Sequence, residues 1–196
     1  TELWKSDGTL AGTLMVKDLV VGSGSSITTQ KAAVFNNKIF FSANGGNGTE
    51  LWSTDGTAAG TVQVKDIVAG TRSSNPSSLT AVGNVVFFTA TGASNGSELW
   101  KSDGSSAGTV LVKDILSGSS SSTPYLLTNV NGTLFFSASD GVNGTELWKS
   151  NGTAAGTVLV KNIAAVGSSF PLDLINVNGT LFFSANDKVI GVELWK

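Results

Sequence analysis

One phrase recurs along this chain at a nearly fixed interval, and it limits the fold more than any other feature. TELWKSDGTLAGT at Thr1 returns as TELWSTDGTAAGT at Thr49, SELWKSDGSSAGT at Ser97 and TELWKSNGTAAGT at Thr145, and VELWK ends the chain at Lys196. The glutamates of this phrase, Glu2, Glu50, Glu98, Glu146 and Glu193, lie 48, 48, 48 and 47 residues apart. A period of about 40–50 residues belongs to blades of β-propellers and to some helical solenoids.

Local chemistry decides between these. In the third repeat, LLTNV at 126–130 reads as a short apolar strand. Asn131-Gly132 is a two-residue hairpin signal, because both turn positions need positive φ. TLFFSA at 133–138, ELWK at 146–149 and TVLVKN at 157–162 read as three further strands, separated by loops rich in Gly, Asn and Asp. No segment of the unit holds a helical period for about 10 residues. Each repeat therefore offers four antiparallel strands. Adjacent bulky pairs, Phe135-Phe136 and Leu147-Trp148, point to opposite faces of a strand, so the sheet needs cover on both sides, which stacking on near-copies of itself provides. The fold expected is all-β: a propeller-type array of four-stranded antiparallel blades. Residues 1–196 form one repeat domain, with units at about 2–49, 50–97, 98–145 and 146–192 and a partial fifth at 193–196. Trp4, Trp52, Trp100, Trp148 and Trp195 are expected to be its largest packing elements.

The strand order, from LLTNV onward, is A to D. The chain then reads CD, ABCD three times, and ABC, so strand C is present once too often for a closed ring of four blades. The expectation is a piece of a longer array, with a closed four-bladed ring as the alternative.

Absences narrow the chemistry. The 196 residues contain no His and no Cys. That excludes Ser-His-Asp triads, Cys nucleophiles, disulfides and the usual zinc and haem sites. A net charge of −2 without a basic patch argues against nucleic acid, and no apolar run approaches the ~18 residues of a membrane helix.

ELWKSDGTLAGT, VLVKDI, GSSSSTP and NVNGTLFFSASDG together resemble the bacterial ELWxxDGT repeat family, over the whole chain. The resemblance implies a propeller-like, secreted or cell-surface, non-catalytic protein. The chain departs from the pattern at Ser53-Thr54, where other complete copies have Lys-Ser, and at Asn151 and Asn162, where earlier copies have Asp.

Candidate sites follow from what is and is not repeated. Glu2 and its copies, Asp7, Asp55 and Asp103, and Asp18, Asp66 and Asp114 are repeated around the array. They cannot form the asymmetric carboxylate pair that glycoside hydrolysis requires, so their reading is structural and no catalytic residue is assigned. The Asp of DGT suits a turn in which its side chain accepts backbone N–H groups. The sequons at Asn47, Asn95, Asn131, Asn143, Asn151 and Asn178 are read as turn residues. Ser139–Gly144 offers oxygen ligands and glycines that could suit calcium, but that loop lacks EF-hand spacing and the positions matching Asp140 are Asn44, Gly92 and Asp187. No cofactor and no metal ligand is expected.

The copies differ most in the loops leading from strand D to the next strand A, at 20–29, 68–78, 116–125 and 164–172, and in the B–C loops on the same rim. Arg72, Tyr125, Asp140, Phe170, Asp173, Asp187 and Lys188 are the candidate partner contacts there. The function expected is a non-enzymatic extracellular module whose rim loops bind a protein or a glycan. The alternative is an architectural element that associates with itself in a fibre or surface layer. Calorimetry with Ca²⁺ tests the cofactor reading: neither binding heat nor a shift in melting temperature is expected.

Overall fold

The computed structural model describes residues 1–21, 24–28 and 32–196. Gly22, Ser23 and Thr29 of the first D–A loop lie outside the described residues. The rest is strand and turn, arranged as five antiparallel sheets in chain order. The first blade has β1 (Leu3–Lys5) and β2 (Leu14–Lys17). The second has β3 (Ala33–Phe35), β4 (Lys38–Asn44), β5 (Thr49–Thr54) and β6 (Val62–Lys65). The third has β7 (Ser77–Val82), β8 (Val85–Thr91), β9 (Ser97–Ser102) and β10 (Val110–Lys113). The fourth has β11 (Tyr125–Val130), β12 (Thr133–Ser139), β13 (Thr145–Ser150) and β14 (Val158–Lys161). The fifth has β15 (Leu172–Val177), β16 (Thr180–Asn186) and β17 (Val192–Trp195).

Within a blade each strand pairs with its sequence neighbour, because tight turns leave no other partner within reach. Val130 pairs with Thr133 across a turn whose Asn131 and Gly132 have φ of 49° and 82°, the double positive φ that Asn-Gly supplies. The A strands lie side by side, with β7 between β3 and β11 and β15 beyond β11. Thr80 donates its hydroxyl to the carbonyl of Leu127, and Thr128 to that of Leu174. The A strands therefore form the inner edge of the array and the D strands the outer one.

Blades pack face to face. In each strand C the leucine points toward the following blade and the tryptophan toward the preceding one. Leu51 shares a core with Leu79, Phe88 and Trp100 of the third blade, and Leu99 with Leu127, Phe136 and Trp148 of the fourth. Leu147 packs with Leu181 and Phe183 of the fifth, and Trp52 faces back onto Leu3 and Leu19 of the first. The paired phenylalanines divide in the same way, Phe87 forward and Phe88 back.

This directional packing corrects the expectation that all five tryptophans are core residues. Trp4 is 59 % exposed, because its indole faces away from the second blade. Leu194 is 74 % exposed for the mirror-image reason. The closed-ring alternative is also not what is seen: β1–β2 and β15–β17 remain separate sheets.

Trp100 is 9 % exposed, and truncating a buried tryptophan costs about 3–5 kcal/mol. Trp100→Ala is expected to lower the unfolding free energy read from urea denaturation by that amount, whereas Trp4→Ala changes it by about 0.5 kcal/mol or less; equal effects would contradict the directional packing.

Candidate functional site

The repeated motif is engaged in holding the blades together, which leaves the unrepeated residues for function. In the DGT turn, Asp55 accepts the backbone N–H and the hydroxyl of Thr57 on one carboxylate oxygen, at 2.9 and 2.7 Å. Thr57 Oγ1 accepts the N–H of Gly60, and its carbonyl accepts the hydroxyl of Thr61. A Cβ at Gly60 would collide with the Asp55 carboxylate and push it out of its bonds to Thr57, so the turn favours glycine there. Asp7 and Asp103 make the same pair of bonds, and Asn151 makes them through its amide oxygen. The turn needs an acceptor rather than a charge. Thr9 holds the Asp7 carboxyl below the ordinary aspartate value, first through its hydroxyl and then through its N–H; Thr57 and Ser105 do so for Asp55 and Asp103.

The glutamate of ELW is a buried clasp. Glu98 accepts the N–H of Ile115, the N–H of Ser122 and the Ser122 hydroxyl, at 2.9, 2.8 and 2.6 Å. Glu50 does the same with Ile67 and Ser74, and Glu146 with Ile163 and Ser169. Each glutamate thus ties both ends of the D–A loop to strand C. Burial pushes the Glu98 carboxyl up, against the opposing pull of its three donors. Burial also acts on Glu2, but there the Ser26 hydroxyl, the Leu19 N–H and the N-terminal ammonium prevail and lower it. Glu193 is exposed.

The lysines of strand D act between blades. Lys17, Lys65 and Lys113 donate to the carbonyls of Thr61, Thr109 and Thr157 in the following blade, each at 2.8 Å. The partner of each lysine is thus a turn carbonyl, and Asp18, Asp66 and Asp114 lie one residue beyond the strand. Asp114 instead accepts the Asn95 amide at 2.8 Å.

With the DGT side chains and Glu50, Glu98 and Glu146 committed to structure, the rim carries the candidate site. The B–C and D–A loops do share one rim, since the N–H of Gly96 donates to the carbonyl of Gly118 and the Arg72 carbonyl lies against Gly48. Tyr125 and Phe170 are 56 % and 57 % exposed and line one hollow of about 280 Å³. The Lys188 ammonium stands 5.6 Å from the Phe170 ring centre, within cation–π range. The structure brings these three together. Asp173 accepts the Ser184 hydroxyl at 3.1 Å. Asp140 and Asp187 are engaged in their own loops: Asp140 accepts the N–H groups of Val142 and Asn143, and Asp187 those of Val189 and Ile190. For Asp140 these bonds outweigh burial and lower the carboxyl; for Asp187 the N–H of Ile190 leads in lowering it. Among the described residues no group of three or more acidic side chains could hold a metal.

Sequence reasoning passed over the prolines. The chain has three, Pro76, Pro124 and Pro171, all buried, and all line hollows of this rim. The residues before them, Asn75, Thr123 and Phe170, have φ of 49°, 50° and 48°. Steric conflict with the proline ring ordinarily drives such residues to extended conformations, and a β-branched Thr at this φ is an outlier. Ser78, Leu126 and Asp173, three residues on, also have positive φ, at bulges in the A–B pairing. The available signal was three prolines in one phase of the repeat, 48 and 47 residues apart.

The family model of the DUF6242 beta propeller domain matches residues 15–184, a span that takes in the stacked blades and their rim. The chain belongs to the DUF6242 beta propeller domain family. No curated protein and no solved structure matches it. Membership of this family agrees with the stacked four-stranded blades described above.

The sign of the carboxylate shifts sets an acid response. Asp7, Asp55, Asp103, Asp140, Asp187 and Glu2 are lowered, so each adds stability above its ordinary value and loses it as pH falls through the lowered one. Glu98 is raised and acts oppositely, favouring the fold more as it protonates. Six groups oppose one, so the urea midpoint is expected to fall as the pH drops below about 4. A variant with Asn at 7, 55 and 103 keeps the turn, as Asn151 does, and its midpoint should fall less.

Proposed function

We propose that the chain is a non-enzymatic binding module of the ELWxxDGT type, secreted or held at a cell surface, that presents its rim loops to a protein or carbohydrate. The observation that carries this reading is a division of labour. Side chains copied in every repeat are engaged in turns, clasps and blade contacts, while the residues that differ between copies, Tyr125, Phe170 and Lys188 among them, stand exposed around hollows on one rim. Loops on a rigid scaffold are the usual place for recognition, and equivalent shallow sites along an array add through avidity. Lack of His and Cys and the satisfied, buried glutamates favour a role without catalysis. The extracellular setting rests on the sequence resemblance. No helix among the described residues is long and apolar enough to cross a membrane.

A second reading, self-assembly, is favoured by one observation. The backward face around Trp4 and Met15 and the forward face around Ile175 and Leu194 are exposed, and they are of the two types that pack against each other between blades. Further blades of a longer array would cover these faces, and so would a second copy meeting them head to tail, a heterologous contact that propagates.

A glycan array combined with light scattering separates the readings. Binding to defined glycans by a monomer is the expected result. Particles that grow with protein concentration, with an empty array, would replace recognition by assembly.

A further inference from the structure

Two hollows of the rim meet at one aromatic ring. The larger, about 670 Å³, runs across the inner ends of the second, third and fourth blades. The smaller, about 280 Å³, continues toward the fifth. They share Thr123 and Tyr125, so together they form one groove with Tyr125 at its middle. The larger volume lies in the range of small-molecule sites.

The chemistry of the lining restricts the ligand. Among the described residues that form the two hollows there is no Asp, Glu, Lys or Arg. The polar groups are hydroxyls, with the Asn75 amide; Ser77, Thr123 and Ser137 are examples. The apolar ones are Pro76, Pro124, Pro171, Leu126 and the exposed rings of Tyr125 and Phe170. Away from Lys188, which stands over Phe170 at one end, an ionic ligand would lose its hydration to a wall that cannot pair its charge. A wholly apolar ligand would leave the hydroxyls unsatisfied. A neutral polyhydroxylated ligand with one apolar face meets neither cost: its C–H face lies on an aromatic ring while its hydroxyls bond the Ser and Thr groups around it.

The groove is also preformed. The three prolines and the left-handed Asn75, Thr123 and Phe170 set the backbone of its floor. The Thr89 hydroxyl holds the Pro124 carbonyl at 2.6 Å. Backbone held in sparsely populated regions gathers where a scaffold over-determines it, commonly at ligand clamps, and a site rigid before binding avoids the entropy of ordering it.

We propose that this groove binds a neutral oligosaccharide lengthwise, with Tyr125 as the central stacking platform and Phe170 as the outer one. Lys188 covers one face of Phe170 and leaves the other to the sugar. The proposal rests on the reading of the rim as a binding surface and narrows it to one ligand class.

Tyr125 is the only tyrosine in the chain, so fluorotyrosine labelling gives a single ¹⁹F resonance at the middle of the groove. The intact chain is titrated separately with cellohexaose, maltohexaose, chitohexaose and mannohexaose, and with an anionic uronate hexamer. A saturable shift is expected with at least one neutral sugar. By calorimetry, Phe170→Ala should weaken that sugar about tenfold, Tyr125→Ala should abolish its binding and Tyr125→Phe should retain it, with all urea midpoints unchanged because both rings are exposed. No shift with any neutral sugar to about 10 mM, a range in which binding is worth under about 3 kcal/mol, would overturn the proposal. So would binding that survives Tyr125→Ala. Binding of the uronate alone would also overturn it while leaving the rim reading intact.

Discussion

Everything in this fold depends on apolar contact between the faces of successive sheets. A four-stranded antiparallel sheet normally keeps one face for water. Here neither interior face is free, because the forward Leu and Phe of one blade meet the backward Trp and Phe of the next. Phe40, Phe87, Phe88 and Phe136 are almost wholly buried, although each belongs to a blade only four strands wide. The same contact explains why equivalent residues behave so differently by position. Leu99 is completely buried, and Leu194, its copy, is largely exposed.

Polar groups make this packing specific. Burying a loop end exposes its backbone N–H groups to an apolar setting, and each must find an acceptor. The ELW glutamate supplies acceptors for both ends of the D–A loop, and the DGT carboxylate closes the C–D turn. The strand D lysine reaches the turn carbonyl of the following blade. The phrase is repeated because every blade presents the same unsatisfied groups. Ser53 shows the slack in the scheme: it occupies the position from which Lys5 and Lys101 reach the carbonyls of Gly56 and Gly152, yet its blade remains packed on both sides.

Much of this was legible in the residues. The period, the four short strands and the Asn131-Gly132 hairpin follow from spacing and turn chemistry, which act over a few residues. The structural role of the repeated acids was legible too, since identical groups cannot make an asymmetric site. The clasp itself was not, because Glu98 and Ser122 are 24 residues apart and meet only when the loop folds back. The rim candidates divided in the same way. Variation between copies pointed to Tyr125, Phe170 and Lys188, but equally to Asp140 and Asp187, whose carboxylates turned out to be engaged by the N–H groups of their own loops.

By itself, the sequence determined that the chain is all-β, repeat-built and stacked through both faces of each sheet, because alternation, turn residues and period are local properties. The tertiary structure decided which tryptophans are covered, that the terminal sheets stay apart, and that three prolines and two aromatic rings gather along one neutral groove. Those outcomes depend on which surfaces meet after folding, and only the three-dimensional arrangement of the blades brings residues about 48 positions apart to the same place.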